Sequence, residues 1–168
     1  MASNDTVVVI LGSTPPTTVF ATQDVRLDGS SPVCAYPVLD FDATTAEYMD
    51  YFCLLQGYDG GGLTLLFRYA MSSAITGGVR IEAAVHRLAD DAEDLDTAHT
   101  FDYNGVTDTV PNVSGEVGYA SVTFTDGADM DSWADGEYAV IRVRRDPANA
   151  GDDASGDLEL LAWAGKET

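Results

Sequence analysis

Lysine is almost absent from this 168-residue chain: Lys166 is the only one, and it joins seven arginines against 28 acidic residues, for a formal charge of −20. Such a field repels phosphate backbones and anionic membrane surfaces, which excludes nucleic acid and membranes as partners. It attracts cations and basic protein surfaces, and it suits a saline setting in which salt relieves the self-repulsion. Cysteine is scarce too. Cys34 and Cys53 form no CxxC pair, and both read as small buried thiols rather than a disulfide or a nucleophile. Histidine is limited to His86 and His99, with no cluster to complete a zinc site. Long apolar runs are missing. Val7 to Leu11 lacks a basic segment before it and is too short for a signal peptide or a membrane span, so the chain is expected to be made in the cytosol and to stay soluble. No GxSxG elbow or other nucleophile signature occurs, and carboxylates are so abundant that any glycosidase-like pair drawn among them would be arbitrary. The chain is therefore expected not to be an enzyme.

What is present is a period of two. The runs Leu63 to Met71, Val79 to Leu88, Val117 to Phe124, Glu137 to Arg145 and Asp157 to Trp163 alternate apolar and polar residues, and Gly/Asp/Asn/Pro clusters close them. Their β-branched and aromatic residues fit a half-buried pleated surface. Leu63, Leu65, Phe67, Tyr69 and Met71 fall on one strand face, as a core requires. Weaker strands are read at Val19 to Leu27, Pro37 to Asp42 and Glu47 to Leu55. The last is preferred as a strand although Thr44 to Glu47 has the form of a helix capping box. Ala128 to Ala134 is the best candidate for a short helical turn, with Met130 and Trp133 on one side. Eight or nine strands in one chain of this length predict an all-β fold: an antiparallel β-sandwich of jelly-roll type over residues 21–168. Residues 1–20 read as an extended N-terminal arm, because Gly12 to Pro16 breaks the edge strand Thr6 to Leu11. Such an arm is expected to reach a neighbour, with Val7, Val9, Pro15 and Pro16 as contact residues.

Three further groups are candidates for function. Asp152, Asp153 and Asp157 in one Gly-containing loop, or Asp126, Asp129 and Asp131 in another, offer hard oxygen ligands for Ca²⁺, although neither run matches an EF-hand and Asp and Gly build turns for their own reasons. These are weak metal candidates, and no cofactor is otherwise expected. Arg142, Arg144 and Arg145 are three of only eight basic residues, and they form a cationic stripe able to pair with acidic loops of this subunit or of a neighbour. Trp133, Trp163 and the eight tyrosines offer either a sugar-stacking platform or, more commonly for alternating strand positions, core.

Several phrases resemble the small jelly-roll accessory virion proteins of tailed bacteriophages: Pro37 to Asp42, Tyr58 to Thr64, Phe124 to Asp131, Ile141 to Asp146 and the ending Gly156 to Leu161. They are turn-and-strand devices, and none is a functional motif. The resemblance implies a structural virion protein without catalysis. Its leading form is a capsid decoration (cement) protein, synthesised in the host cytoplasm, that sits on the outer capsid surface as a homo-oligomer, often a trimer, and holds the major capsid protein. The alternative is a receptor- or glycan-binding module of a tail appendage, and a third is a calcium-dependent carbohydrate-binding accessory domain.

Overall fold

The computed structural model describes residues 5–168. Ten strands run β1 (Val8–Thr14), β2 (Thr22–Leu27), β3 (Ala35–Phe41), β4 (Tyr48–Leu55), β5 (Leu63–Met71), β6 (Gly78–Leu88), β7 (Asn104–Thr109), β8 (Gly118–Phe124), β9 (Tyr138–Arg145) and β10 (Leu158–Glu167). They form two antiparallel five-stranded sheets, in the orders β1-β4-β9-β6-β7 and β2-β3-β10-β5-β8, packed face to face. This is a β-sandwich of jelly-roll type. No helix among the described residues is long and apolar enough to cross a membrane.

The core follows from the alternation. Leu63, Leu65, Phe67, Tyr69 and Met71 of β5 are all buried and meet Ile81, Ala83, Ile141 and Val143 from the facing sheet. β5 takes a central position because Thr64 and Ala70 on its other face are also buried. The predicted turn is a single 3-10 turn, Ala128–Met130, and it delivers Met130 and Trp133 to the core, where the indole N–H donates to the Glu137 carbonyl at 2.8 Å. The Thr44 to Glu47 segment is a turn rather than a helix: Asp42 accepts from the Thr44 and Thr45 amides, and the Glu47 carboxylate accepts from the Asp42 amide at 2.9 Å. The carboxylates of Asp42 and Glu47 are the caps, the Thr44 hydroxyl donates to Asp42, and the strand that follows is β4.

The N-terminal segment differs from the expected arm. Residues 8–14 pair along β4 as an edge strand, and a bulge between Ile10 and Gly12 absorbs the break suggested by the sequence. Val7 is fully buried and Val8 nearly so, because Gly165 has no side chain at the point where Val8 packs against β10. A Cβ on Gly165 would overlap the Val8 side chain. Sheet pairing satisfies the backbone groups of this segment while Val7 and Val8 are buried. The expected contact residues divide accordingly: Val7 belongs to the core, Val9 and Pro15 are exposed, and Pro16 is half-buried. Cys53 is buried as expected, with its thiol pushed up to about 12 by burial, whereas Cys34 is exposed on the β2–β3 turn.

Candidate functional site

The two sheets touch at both ends of the β1 edge and part between them. At one end the Val7 amide donates to the Gly165 carbonyl at 3.0 Å and Thr6 bridges Lys166, which ties the start of β1 to the opposite sheet. At the other end the Ala21 amide donates to the Tyr48 carbonyl and the Tyr48 amide to the Val19 carbonyl, both at 3.1 Å, before the chain crosses into β2. Val19 sits at a positive φ of 50°, which a β-branched residue rarely adopts, and this crossing holds it there. Between the two clamps the edge strands β1 and β2 leave a cleft of about 710 Å³.

Its rim carries Ser13, Gln23 and Asp24, its walls Ile10, Val25, Pro37, Val38 and Leu39, and its floor Tyr51 and Trp163. The floor rings stand edge to face, with centroids 5.1 Å apart and planes at 80°. Burial pushes the Tyr51 hydroxyl up to about 12, with the Trp163 indole opposing it. The Trp163 indole N–H is buried and lies beside the Tyr51 hydroxyl, outside strict hydrogen-bond geometry. Few polar groups in a mostly apolar concavity of this size is the composition of a ligand seat.

The lining of the cleft holds a single charged residue, Asp24. Between Thr6 and Leu39 only Asp24 and Asp28 are acidic, of 28 acidic residues in the chain. Large apolar side chains are exposed along the same segment, among them Leu11 (56%), Val25 (51%) and Leu27 (63%). Sequence reasoning named Val9, Pro15 and Pro16 here but missed the cleft, because Trp163 and Tyr51 lie more than 100 residues apart in sequence and meet only when β10 and β4 face each other.

The arginine stripe resolves into pairs within this chain. Arg142 makes a two-pronged ion pair with Asp50, at 2.6 and 2.7 Å, and its guanidinium lies 4.0 Å from the Phe101 ring centroid. Hydrogen bonding to Asp50 raises the Arg142 pKa above its ordinary value. Arg144 binds Glu82 at 2.6 Å under the Tyr103 ring, 3.9 Å away. Arg145 points the other way, into the sandwich, where it is almost fully buried; it binds Asp152 at 2.7 Å and donates to the carbonyls of Ala154 and Gly156. All three guanidinium groups thus have carboxylate partners within this chain.

The aspartates proposed for Ca²⁺ are spoken for in the same way. Asp152 neutralises Arg145 and caps the Arg80 amide, Asp153 accepts from the Gly78 amide at 2.7 Å, and Asp157 accepts from the Ala43 amide at 2.9 Å. They serve three separate backbone anchors, the amides of Arg80, Gly78 and Ala43. In the second loop Asp129 holds Thr125 and Asn104, and Asp126 accepts from Tyr58 at 2.6 Å.

No family model and no curated protein matches this chain. Among solved structures it is similar to the enzymatically active domain of tailspike protein 4 of bacteriophage CBA120, at 11% identity and a TM-score of 0.43; the likeness covers 94% of this chain and 19% of that one. It is also similar to the CBM22-1 xylan-binding domain of Xyn10C from Paenibacillus barcinonensis, at 12% identity and a TM-score of 0.42 over 96% of both chains. A third likeness is to TmCBM61 in complex with β-1,4-galactotriose, at 10% identity and a TM-score of 0.38 over 88% of this chain and 87% of that one. At such identities these are likenesses of general architecture and carry no function across.

Proposed function

We propose that this chain acts by binding rather than by catalysis, as a recognition module of a phage virion appendage, and that its seat is the β1–β2 cleft. The ligand class is a glycan. The observation that carries this reading is the cleft itself, apolar walls over the aromatic floor of Trp163 and Tyr51 beneath a polar rim of Ser13, Gln23 and Asp24. A sugar ring has an apolar face for such walls and hydroxyls for such a rim. An array of bacterial surface oligosaccharides probed with the purified protein tests it. A hit that weakens by about tenfold in Gln23→Ala, for the loss of about 1.4 kcal/mol of polar contact, supports the cleft. No binding to any glycan, or binding indifferent to Gln23 and Ser13, rejects it.

Capsid decoration is the second reading, favoured by a separate observation: the exposed apolar side chains from Val9 to Leu27 lie where acidic residues are fewest. A surface of that kind suits contacts with the major capsid protein or with further copies of this chain in an oligomer. Copy number in purified virions separates the two, since decoration requires hundreds of copies and an appendage module only a few.

A further inference from the structure

The chain has two histidines, and the fold brings both to one carboxylate. His86 projects from the outer face of β6, and the loop 89–103 folds back over that face, carrying Glu93 and His99. His86 Nε2 lies 3.3 Å and His99 Nδ1 3.1 Å from the same oxygen, Glu93 Oε1. All three side chains are sheltered, being 12%, 21% and 23% exposed. They line a recess of about 310 Å³ that Asp102, Asp129 and Asp131 also border. We propose that His86, Glu93 and His99 bind a divalent transition-metal ion of the zinc class, which fastens the 89–103 loop to the sheet.

The spacing suits such an ion. Tetrahedral zinc holds nitrogen and oxygen ligands at about 2.0–2.1 Å, which places neighbouring ligand atoms roughly 3.3 Å apart. The two nitrogen–oxygen separations already stand within a few tenths of an ångström of that edge. Two imidazoles and one carboxylate form a donor set that favours zinc and its neighbours over calcium or magnesium, which take oxygen. His86 Nε2 is buried without a hydrogen-bond partner, and the other nitrogen of the ring faces the Asp131 carboxylate at 3.6 Å, the side from which an outer carboxylate orients a metal-bound imidazole. The charges nearest the recess are the carboxylates of Glu93, Asp102, Asp129 and Asp131; the Arg87 guanidinium is taken up by Glu137. One rearrangement is required. The imidazoles are stacked, with centroids 4.1 Å apart and planes at 30°, so the loop-borne His99 must turn about its Cβ–Cγ bond before both lone pairs meet one ion. A water completes the fourth position.

The test is thermal unfolding and titration calorimetry of the metal-stripped full chain with ZnCl₂, with MgCl₂ at equal ionic strength as control, since a chain of −20 charge attracts any divalent cation. A stoichiometry of one, a melting temperature raised by Zn²⁺ and not by Mg²⁺, and loss of both effects in His99→Gln support the site. His99 stands on a loop, so His99→Gln is expected to fold; Glu93→Gln, which keeps the shape and removes the charge, is the second variant. On the unmodified protein, Co²⁺ should give the visible absorption of tetrahedral nitrogen–oxygen ligation, and Zn²⁺ should perturb both histidine ring signals in the NMR spectrum. Equal stabilisation by Mg²⁺, Zn²⁺ binding unchanged in both variants, or histidine signals that do not respond to Zn²⁺ would overturn the proposal.

Discussion

Two regions of the sandwich dispose of side chains in opposite ways. On the outer face of the β1-β4-β9-β6-β7 sheet, Arg80, Arg142 and Arg144 each find a carboxylate, and Phe101 and Tyr103 of the 89–103 loop lie over two of the guanidinium groups. At the β1–β2 edge, apolar side chains face solvent around an open cleft whose lining holds one charged residue, Asp24. Cations are rare in this chain, and six of its seven arginines pair with its own acids, whereas apolar surface is left exposed at this edge. The closed face is accounted for by folding; the open edge is where an external ligand has something to gain.

The comparison is tested most severely at Arg145. Its guanidinium, on the inner face of the same sheet, is fully enclosed, and Asp152 beside it is equally buried. Arg145→Ala removes one partner of a buried pair and leaves a carboxylate in the interior, a change that costs about 3–5 kcal/mol. Chemical denaturation should show that loss; a change under about 1 kcal/mol would mean that solvent reaches Asp152. Arg144→Glu comes next, at roughly 2–3 kcal/mol, because it sets a carboxylate against the buried Glu82 while Arg80 still neutralises part of that charge. This variant should unfold more easily without altering ligand binding at the cleft. Reduced binding at unchanged stability would place Arg144 in an interface instead.

The strands were legible where both period and residue type agreed. β5 runs from Leu63 to Met71 as the alternation predicts, and β6, β8 and β9 differ from their expected bounds by one residue. β7, Asn104–Thr109, was not expected, since Asn104-Gly105 has the form of a turn and no large apolar side chain alternates along the segment. Its strand state depends on pairing with β6 and on Asp108, which accepts from Tyr69 at 2.6 Å across the sandwich. Neither signal is local. β1 was half legible: the apolar run was seen, but Gly12 to Pro16 suggested departure from the body where the chain makes a bulge and a crossing. His86 and His99 carry no ligand spacing motif, and only the returning loop joins them.

A smaller effect is expected at Asp40, on β3 near the open edge. Burial, and then the carboxylates of Asp157, Glu159, Asp24 and Glu47, push its pKa up to about 6. An unfolded aspartate titrates near about 3.9, so between roughly pH 4 and 6 the folded state holds more protons than the unfolded one. Stability must therefore fall as pH rises through that window, and the penalty is complete above it. Asp40→Asn should raise unfolding stability at neutral pH by an amount of the order of 1 kcal/mol once solvent screening is allowed for, and should leave it unchanged near pH 4. An equal gain at both pH values would assign the effect to hydrogen bonding of Asp40 Oδ1, which is buried without a partner.

The smallest effect on stability, and the sharpest on binding, belongs to the edge itself. Val25 is 51% exposed and Ile10 42%, and both line the cleft from edge strands. Exposed positions of this kind tolerate substitution within about 0.5 kcal/mol, and a charge on an edge strand protects an isolated sandwich against sheet-to-sheet association. Val25→Asp should therefore unfold like the parent chain. If the cleft is a ligand seat, the same variant loses glycan binding, because a carboxylate replaces an apolar wall. If the edge meets protein, the variant loses capsid occupancy or self-association in sedimentation instead. A destabilisation above about 1 kcal/mol would show that Val25 supports the fold as the closed face does, and the contrast between the two regions would fail.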